Sequence, residues 1–380
     1  MKYYIIAGEA SGDLHGSNLM KGLYAQDPKA DIRFWGGPLM DGVYKEHQSG
    51  TGLVTDYREG AVMGLFAVLK QGRKILQRLE SCKRDILAWH PDVVILIDYP
   101  GFNFHVAEFA HNAGFKVFYY IAPKVWASRE GRIKKLKAWV DKLFIVFPFE
   151  QEYFSRHQLP YVYVGNPLID ALENSVALQE TRAGFLQRTG LPDQPWIALL
   201  PGSRSTEIKS MMPVFMQFAD KWHSTHPSDI FVIAGAPSRS LKDYNIGERD
   251  YVKVVFGETY GILRHARAAV VNSGTASLEA ALIGTPQVVG YRMTLVPAWL
   301  AHWYVKVKYV SLGNLILDRM AFREFLMDEL TPKALLEEVS LLTEDADYRQ
   351  HMLDDYAQIR TLLGGAGASG KVAKSMIESL

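Results

Sequence analysis

The sequence predicts an α/β protein built from two doubly wound parallel sheets, and three observations carry that prediction. Short apolar runs alternate with longer helical patterns along the chain, the signature of βαβ units. Several of these runs end directly in small-residue turns, where a parallel sheet presents its ligands. At 380 residues the chain exceeds the size of a typical single domain, so two domains are expected.

In the first half, YYIIAG, IRFWGG, VVILID, KVFYYIA, KLFIVF and YVYVG read as strands. Val93 to Ile97 is apolar without alternation, as expected of a strand covered on both faces. Helices are expected to begin near Leu14, Val62, Val106, Ile133 and Gln151. The second half repeats the style, with WIALLPG, IFVIAG, VKVVFG, AAVVNSG and QVVGYRM as strands and helices near Ile208, Gly261 and Ala276. The stretch 166–195 between the halves is more polar and closes on Pro192 and Pro195. It sets the expected boundaries: domains 1–170 and 171–345, then helices over 346–380 that pack back across them. Two such sheets predict a cleft between domains, with ligands at the carboxyl ends of the strands.

The composition is that of a soluble globular protein, 48% hydrophobic and 22% charged. A lone cysteine, Cys82, excludes an intrachain disulfide and fits a reducing compartment. The opening Met1–Ala7 run is soon interrupted by Glu9 and Asp13 and reads as a strand rather than a signal peptide; no apolar run approaches a membrane span. These features predict a cytoplasmic protein. A net charge of +1 argues against general nucleic-acid binding, but residues 60–142 carry 14 Lys and Arg against 7 Asp and Glu. Within that stretch Leu65, Leu69, Leu76 and Leu79 share a helical face, with Lys70, Arg73, Lys74 and Arg78 largely elsewhere. Two readings stand: a core-facing helix with a solvated basic side, or a helix resting on an anionic membrane surface.

The turns carry the candidate chemistry. In VVNSGTASLEAAL a strand passes through a small-residue turn into a helix, whose free N–H groups and dipole suit a diphosphate. Gly274 would let the phosphate approach closely. Ser273 or Thr275 would cap the helix or donate a hydrogen bond, and Glu279, one turn in, would accept from ribose hydroxyls. An ordinary N-cap with a solvated glutamate is the plain alternative. ALLPGSRSTEI gives a second such turn, where Arg204 would supply a permanent positive charge. In the first half Asp98 ends a fully apolar strand, where partial burial would raise its pKa toward that of a general base; an Asp capping the next turn is the alternative. Glu9 and Asp13 are further acids at a strand end. The histidines form no HExxH or paired metal spacing, the first turn is not GxGxxG, and no GxSxG elbow occurs. Asp345-Ala346-Asp347 matches an Asp-x-Asp pattern, but in a polar turn where chance explains it.

The ordered set GEASGD (8–13), AVMG (61–64), IDYPGFN (97–103), YIAPKVWASR (120–129), LLPGSR (199–204), NSGTASLEAAL (272–282), VVGYRM (288–293) and YVSLGN (309–314) resembles the lipid-A-disaccharide synthase family. The resemblance runs to about residue 320; it departs at Ser128 and at Gly313, where the family pattern has an aromatic residue and a proline. It implies a GT-B glycosyltransferase of the Gram-negative lipid A pathway, with the active site between two Rossmann-like domains. It implies transfer from UDP-2,3-diacylglucosamine to 2,3-diacylglucosamine 1-phosphate, giving a β-1,6-linked disaccharide and UDP with inversion.

Carried residue by residue, the resemblance makes Asp98 the base. Arg204, Ser203, Ser273, Gly274 and Thr275 become the diphosphate site with no metal or other cofactor, Glu279 the ribose partner, and Asn314, Arg292 and Arg129 further substrate-binding residues. Gly8 and Gly12 would then let the backbone approach the acceptor sugar, with Glu9 and Asp13 bonding its hydroxyls or orienting Asp98. Acylated substrates imply peripheral contact with the cytoplasmic face of the inner membrane, for which 61–79, 129–142 and 295–310 are candidates; the last also suits a homodimer. Two rivals stay open: another UDP-sugar enzyme of this fold, an epimerase or a cell-wall precursor transferase, and a non-catalytic nucleotide- or lipid-binding module.

Overall fold

A computed structural model describes residues 1–60, 67–126, 130–292 and 308–380. The chain forms two compact units, Met1–Ala171 with Leu363–Leu380, and Leu172–Leu362. The first opens with β1 (Lys2–Ala7), α1 (Ala10–Gln26), β2 (Asp31–Gly36), α2 (Pro38–His47) and β3 (Leu53–Asp56). It continues through α3 (Ala67–Trp89), β4 (Val93–Ile97), α4 (Pro100–Asn112), β5 (Lys116–Tyr120), α5 (Ile133–Trp139), β6 (Lys142–Ile145), α6 (Pro148–Arg156), β7 (Tyr161–Tyr163) and α7 (Pro167–Glu173). Its seven parallel strands lie in the order β3-β2-β1-β4-β5-β6-β7, with Ala7 paired to Ile97 where the order reverses.

The second unit holds α8 (Arg182–Thr189), β8 (Trp196–Leu200), α9 (Ser205–Thr225), β9 (Ile230–Gly235), α10 (Leu241–Tyr244), β10 (Val252–Phe256) and α11 (Thr259–His265). Then come β11 (Ala268–Asn272), α12 (Thr275–Ile283), β12 (Gln287–Tyr291), α13 (Leu312–Leu317), β13 (Glu324–Leu326), α14 (Pro332–Glu344) and α15 (Ala346–Leu363). Its six parallel strands run β10-β9-β8-β11-β12-β13, reversing between β8 and β11. Every residue of β4, β8, β9 and β11 is buried, because helices cover both faces of each sheet.

The expected tail 346–380 divides between the units. Helix α15 stays with the second, whereas α16 (Ala368–Ile377) belongs to the first and lies along α1. A Cβ on Gly22 would lie 2.9 Å from the Ala373 Cβ, so that glycine sets how closely the two helices approach. Asp170 fixes the start of α16, accepting from the Gly367 N–H at 2.6 Å and the Ser369 N–H at 2.7 Å.

Helix starts lie earlier than the apolar pattern places them: α1 at Ala10 rather than Leu14, α4 at Pro100 rather than Val106, α6 at Pro148 rather than Gln151. Proline fits the first helical position, where its missing N–H costs nothing, and small or polar first turns dilute the apolar period. The strands β3 and β13 have no counterpart in the sequence reading; each is a short, half-buried edge strand. In α3 the buried stripe runs Leu79, Cys82, Ile86, while Leu76 is 62% exposed and so leaves the face expected for it. Leu65 lies outside the described residues.

Candidate active site

In the first unit the order reversal brings the ends of β1 and β4 together, which is where a doubly wound sheet binds its ligands. Asp98 and Tyr99 follow β4 with φ of +41° and +48°. Two consecutive non-glycine residues in the left-handed region are strained, and the surroundings must hold them. The Asp98 N–H donates to the Tyr120 carbonyl at 3.1 Å. The Asp98 carbonyl accepts from the Tyr119 hydroxyl at 2.6 Å and from the buried Asn103 Nδ2 at 2.8 Å. This turn leaves the half-buried Asp98 at the carboxyl edge of the sheet.

The Tyr99 ring lies across Gly8: a Cβ there would fall 2.2 Å from the ring. Gly8 is therefore a seat for Tyr99, and Gly12, whose Cβ would touch Ala7 at 3.2 Å, lets α1 pack on β1. The sequence reading expects these two glycines to let the backbone approach the acceptor sugar; in the structure their open faces are turned to Tyr99 and Ala7. Burial pushes the Tyr99 hydroxyl pKa up, with Arg78 opposing and Glu9 adding to the shift. Glu9 is exposed at the start of α1. Asp13 is 1% exposed, and its carboxylate accepts from the N–H groups of Gly37 (2.8 Å), Leu39 (3.1 Å) and Met40 (3.1 Å). It thus caps α2 from within α1; burial raises its pKa and those three bonds oppose the rise.

In the second unit the reversal brings the ends of β8 and β11 together. Gly202 has φ of +103°, and a Cβ would meet Glu207 Oε2 at 2.4 Å and Asn272 Nδ2 at 2.8 Å, so only glycine fits. Glu207 reaches back to accept from the Ser203 and Arg204 N–H groups, both at 3.1 Å. The Ser203 carbonyl accepts from Arg239 Nε at 3.0 Å. The Arg204 guanidinium is 69% exposed and stands 3.6 Å from Glu207, a weak surface pair. Glu207 was missed in the sequence reading, though a glutamate three residues into a helix is a capping signal.

Helix α12 differs. Its N-cap, Gly274, carries no side chain, no acid lies in its first turn, and Thr275 is exposed. A Cβ on Gly274 would meet no non-neighbouring atom of the described residues within 4 Å. Ser273 does not cap the helix: its hydroxyl donates to the Val310 carbonyl at 3.1 Å and its N–H to the Gly290 carbonyl at 2.9 Å. Of the two helix starts, that of α9 already carries Glu207, whereas among the described residues no side chain caps α12. Glu279 is half-buried and accepts from the Tyr260 hydroxyl at 3.0 Å; burial raises its pKa.

Arg292 is exposed, and its carbonyl accepts from Ser210 Oγ at 3.1 Å. Asn314 is fully buried, donating to the Phe322 carbonyl and Glu324 and accepting from the Ala321 and Phe322 N–H groups. Its amide braces the 321–324 segment, at a position where the sequence reading expects a substrate-binding residue. Arg129, residues 61–66 of the first basic stretch and 295–307 of the third lie outside the described residues. Asp345 accepts from the Tyr348 N–H at 2.9 Å, a helix-capping role. Among the described residues no group of three His, Cys, Asp or Glu side chains is placed to hold a metal ion.

Comparison with known proteins shows the fold and the family. The solved UDP-GlcNAc 2-epimerase of Neisseria meningitidis superposes with a TM-score of 0.70 over all of both chains at 14% identity, and the calicheamicin glycosyltransferase CalG4 with 0.58 over 99% of this chain and 97% of its own. These likenesses show the GT-B fold. A lipid-A-disaccharide synthase from Myxococcus xanthus is 36% identical over 380 residues, covering 99% of this chain and 97% of its own. One from Coxiella burnetii is 34% identical over 370 residues, covering 97% and 96%. A family model described as lipid-A-disaccharide synthetase matches residues 3–371, and the chain belongs to that family of glycosyltransferases.

Proposed function

We propose that the chain joins UDP-2,3-diacylglucosamine to 2,3-diacylglucosamine 1-phosphate by one inverting displacement, with Asp98 as general base. The observation that carries this reading is the strained Asp98–Tyr99 turn, held by Asn103, Tyr119 and Tyr120 at the carboxyl edge of the first sheet. The acceptor 6-hydroxyl oxygen bonds to the anomeric carbon as that carbon's bond to the β-phosphate oxygen breaks. The electron pair leaves with UDP, and the hydroxyl proton passes to Asp98.

The uncapped start of α12 receives the diphosphate, and Arg204, exposed on its turn, adds charge. Glu279, beside Tyr260, accepts from the ribose hydroxyls. These groups meet the leaving charge without a metal or other cofactor. Asp13 acts as a positioning residue that fixes α2 to the opening turn, and Glu9, exposed near Tyr99, meets the acceptor.

Acylated substrates require contact with a bilayer, here the cytoplasmic face of the inner membrane. Among the described residues no helix is long and apolar enough to cross one. Contact is made by the face of the first sheet where α3, α4 and α5 pack together: Lys74, Lys134, Lys135 and Lys137 are exposed there, as are Ile75 and Leu76.

Incubation of the chain with both lipid substrates tests the reading. Disaccharide and UDP are expected, with a β linkage by NMR and undiminished activity in EDTA. Asp98→Asn is expected to lower kcat by about 10²- to 10⁴-fold while UDP binding holds. An undiminished kcat removes Asp98 as base, and epimerised donor in place of disaccharide removes the transfer.

A further inference from the structure

Among the described residues the start of α12 has no capping side chain, and the residue before it, Ser273, is tied by two bonds. One of them runs to the Val310 carbonyl, and Val310 is itself held from elsewhere. Glu324, the first residue of β13, accepts four donors from one short segment. Oε2 accepts from the Val310 N–H at 2.9 Å. Oε1 accepts from the Ser311 N–H at 2.9 Å, from Asn314 Nδ2 at 2.8 Å, and from the Ser311 hydroxyl. Bonds to an ionised acceptor are roughly twice as strong as neutral ones, so this carboxylate is the fixed point of the 310–314 turn. Glu324 is itself placed by the sheet, opposite Val289 of β12, whose N–H donates to the Arg323 carbonyl at 2.9 Å.

We propose that Glu324 is the positioning residue of the donor site: through Val310 and Ser273 it holds the open start of α12 where it receives the diphosphate of the UDP-sugar. This rests on the reading that the diphosphate binds at α12. Glu324 touches no substrate. Its carboxylate sets the Val310 peptide, the Val310 carbonyl sets the Ser273 hydroxyl, and Ser273 sets the Gly274 and Thr275 N–H groups. Glutamine in its place presents an amide N–H₂ on one side, which no N–H donor can use, so the bond from the Val310 N–H, or those from the Ser311 N–H and Asn314 Nδ2, are lost.

The test uses the full chain and compares Glu324→Gln with Asp229→Asn. Asp229 is a buried, bonded carboxylate of the same unit, held by Trp222 Nε1 and Arg267 Nη1 just before β9, at the opposite edge of the parallel sheet from the start of α12. UDP affinity by calorimetry, donor and acceptor KM, kcat and thermal melting are read for each. Glu324→Gln is expected to weaken UDP binding and raise donor KM about tenfold with acceptor KM within twofold, whereas Asp229→Asn lowers melting and leaves UDP affinity within twofold.

Ser273→Ala cuts the same link from its other end, so the double variant with Glu324→Gln is expected to bind UDP no worse than the weaker single variant. If Glu324→Gln does not fold, Ser273→Ala alone must weaken UDP binding at least fivefold. Glu324→Gln binding UDP like the unmodified chain overturns the proposal, as do additive losses in the double variant or equal losses in Asp229→Asn. An unmodified chain that fails to bind UDP overturns the donor-site reading, and this proposal with it.

Discussion

Single residues show how differently one residue type is used on the two units. A Cβ at Gly8 would drive into the Tyr99 ring, whereas one at Gly274 would meet no non-neighbouring atom of the described residues within 4 Å. Gly8→Ala is accordingly expected to cost about 1–3 kcal/mol of stability by overpacking, and to reduce kcat by displacing the turn that carries Asp98. Gly274→Ala is expected to leave stability within about 1 kcal/mol yet weaken UDP binding, because its methyl group enters the space the diphosphate needs. Thermal melts with and without UDP distinguish the two, and a large melting loss in Gly274→Ala contradicts the assignment. Asp98 and the start of α12 were legible in sequence because apolar strands point directly at them. The work of Gly8, Asp13 and Asn314 was not, since the partners of Gly8 and Asp13 are far along the chain and those of Asn314 depend on a loop fold with no local pattern.

At the level of elements, α6 carries a titration built into its first turn. Glu150 is buried and accepts from the N–H groups of Val146 and Phe147, and from Trp126 Nε1 at 3.1 Å. Burial nevertheless pushes its pKa from 4.5 to about 7. Between those values the folded chain keeps a proton that the unfolded chain has released, so stability falls as pH rises through the window, by about 3 kcal/mol in all. Glu150→Gln is expected to flatten that slope between pH 5 and 7.5 in denaturant melts; an unchanged slope assigns it to other groups.

On the opposite question of surface, changing Lys74, Lys134 and Lys137 together to Gln is expected to weaken binding to anionic vesicles about tenfold or more, at about 1 kcal/mol per charge near the surface. Activity on detergent-dispersed substrate should hold, and equal vesicle binding by both proteins excludes this face. The strands that carry the sites announced themselves as unbroken apolar runs such as Val93–Ile97. Edge strands β3 and β13 did not, because a few half-buried residues alternate too briefly to leave a period.

Across the whole molecule, each unit has its own parallel sheet and core, and each places its candidate residues at its own order reversal. Occupancy by UDP is therefore expected to protect backbone amides at 202–207 and 273–277 from hydrogen exchange. UDP at a hundredfold excess over its Kd adds about 2.7 kcal/mol to the stability of the second unit. Protection centred on the β1–β4 turn instead contradicts the division of donor and acceptor sites. The two-domain plan was legible from repeated βαβ spacing, but the division of the tail was not, since nothing local in 346–380 tells α15 from α16.

That division bears on biosynthesis. Helix α16 covers α1, yet the ribosome makes it only after all of the second unit. At about 5–20 residues per second, roughly 10–40 s separate the emergence of residue 171 from that of α16. Throughout that interval the first unit lacks the helix that packs at Gly22, so its folding is completed from the opposite end of the message.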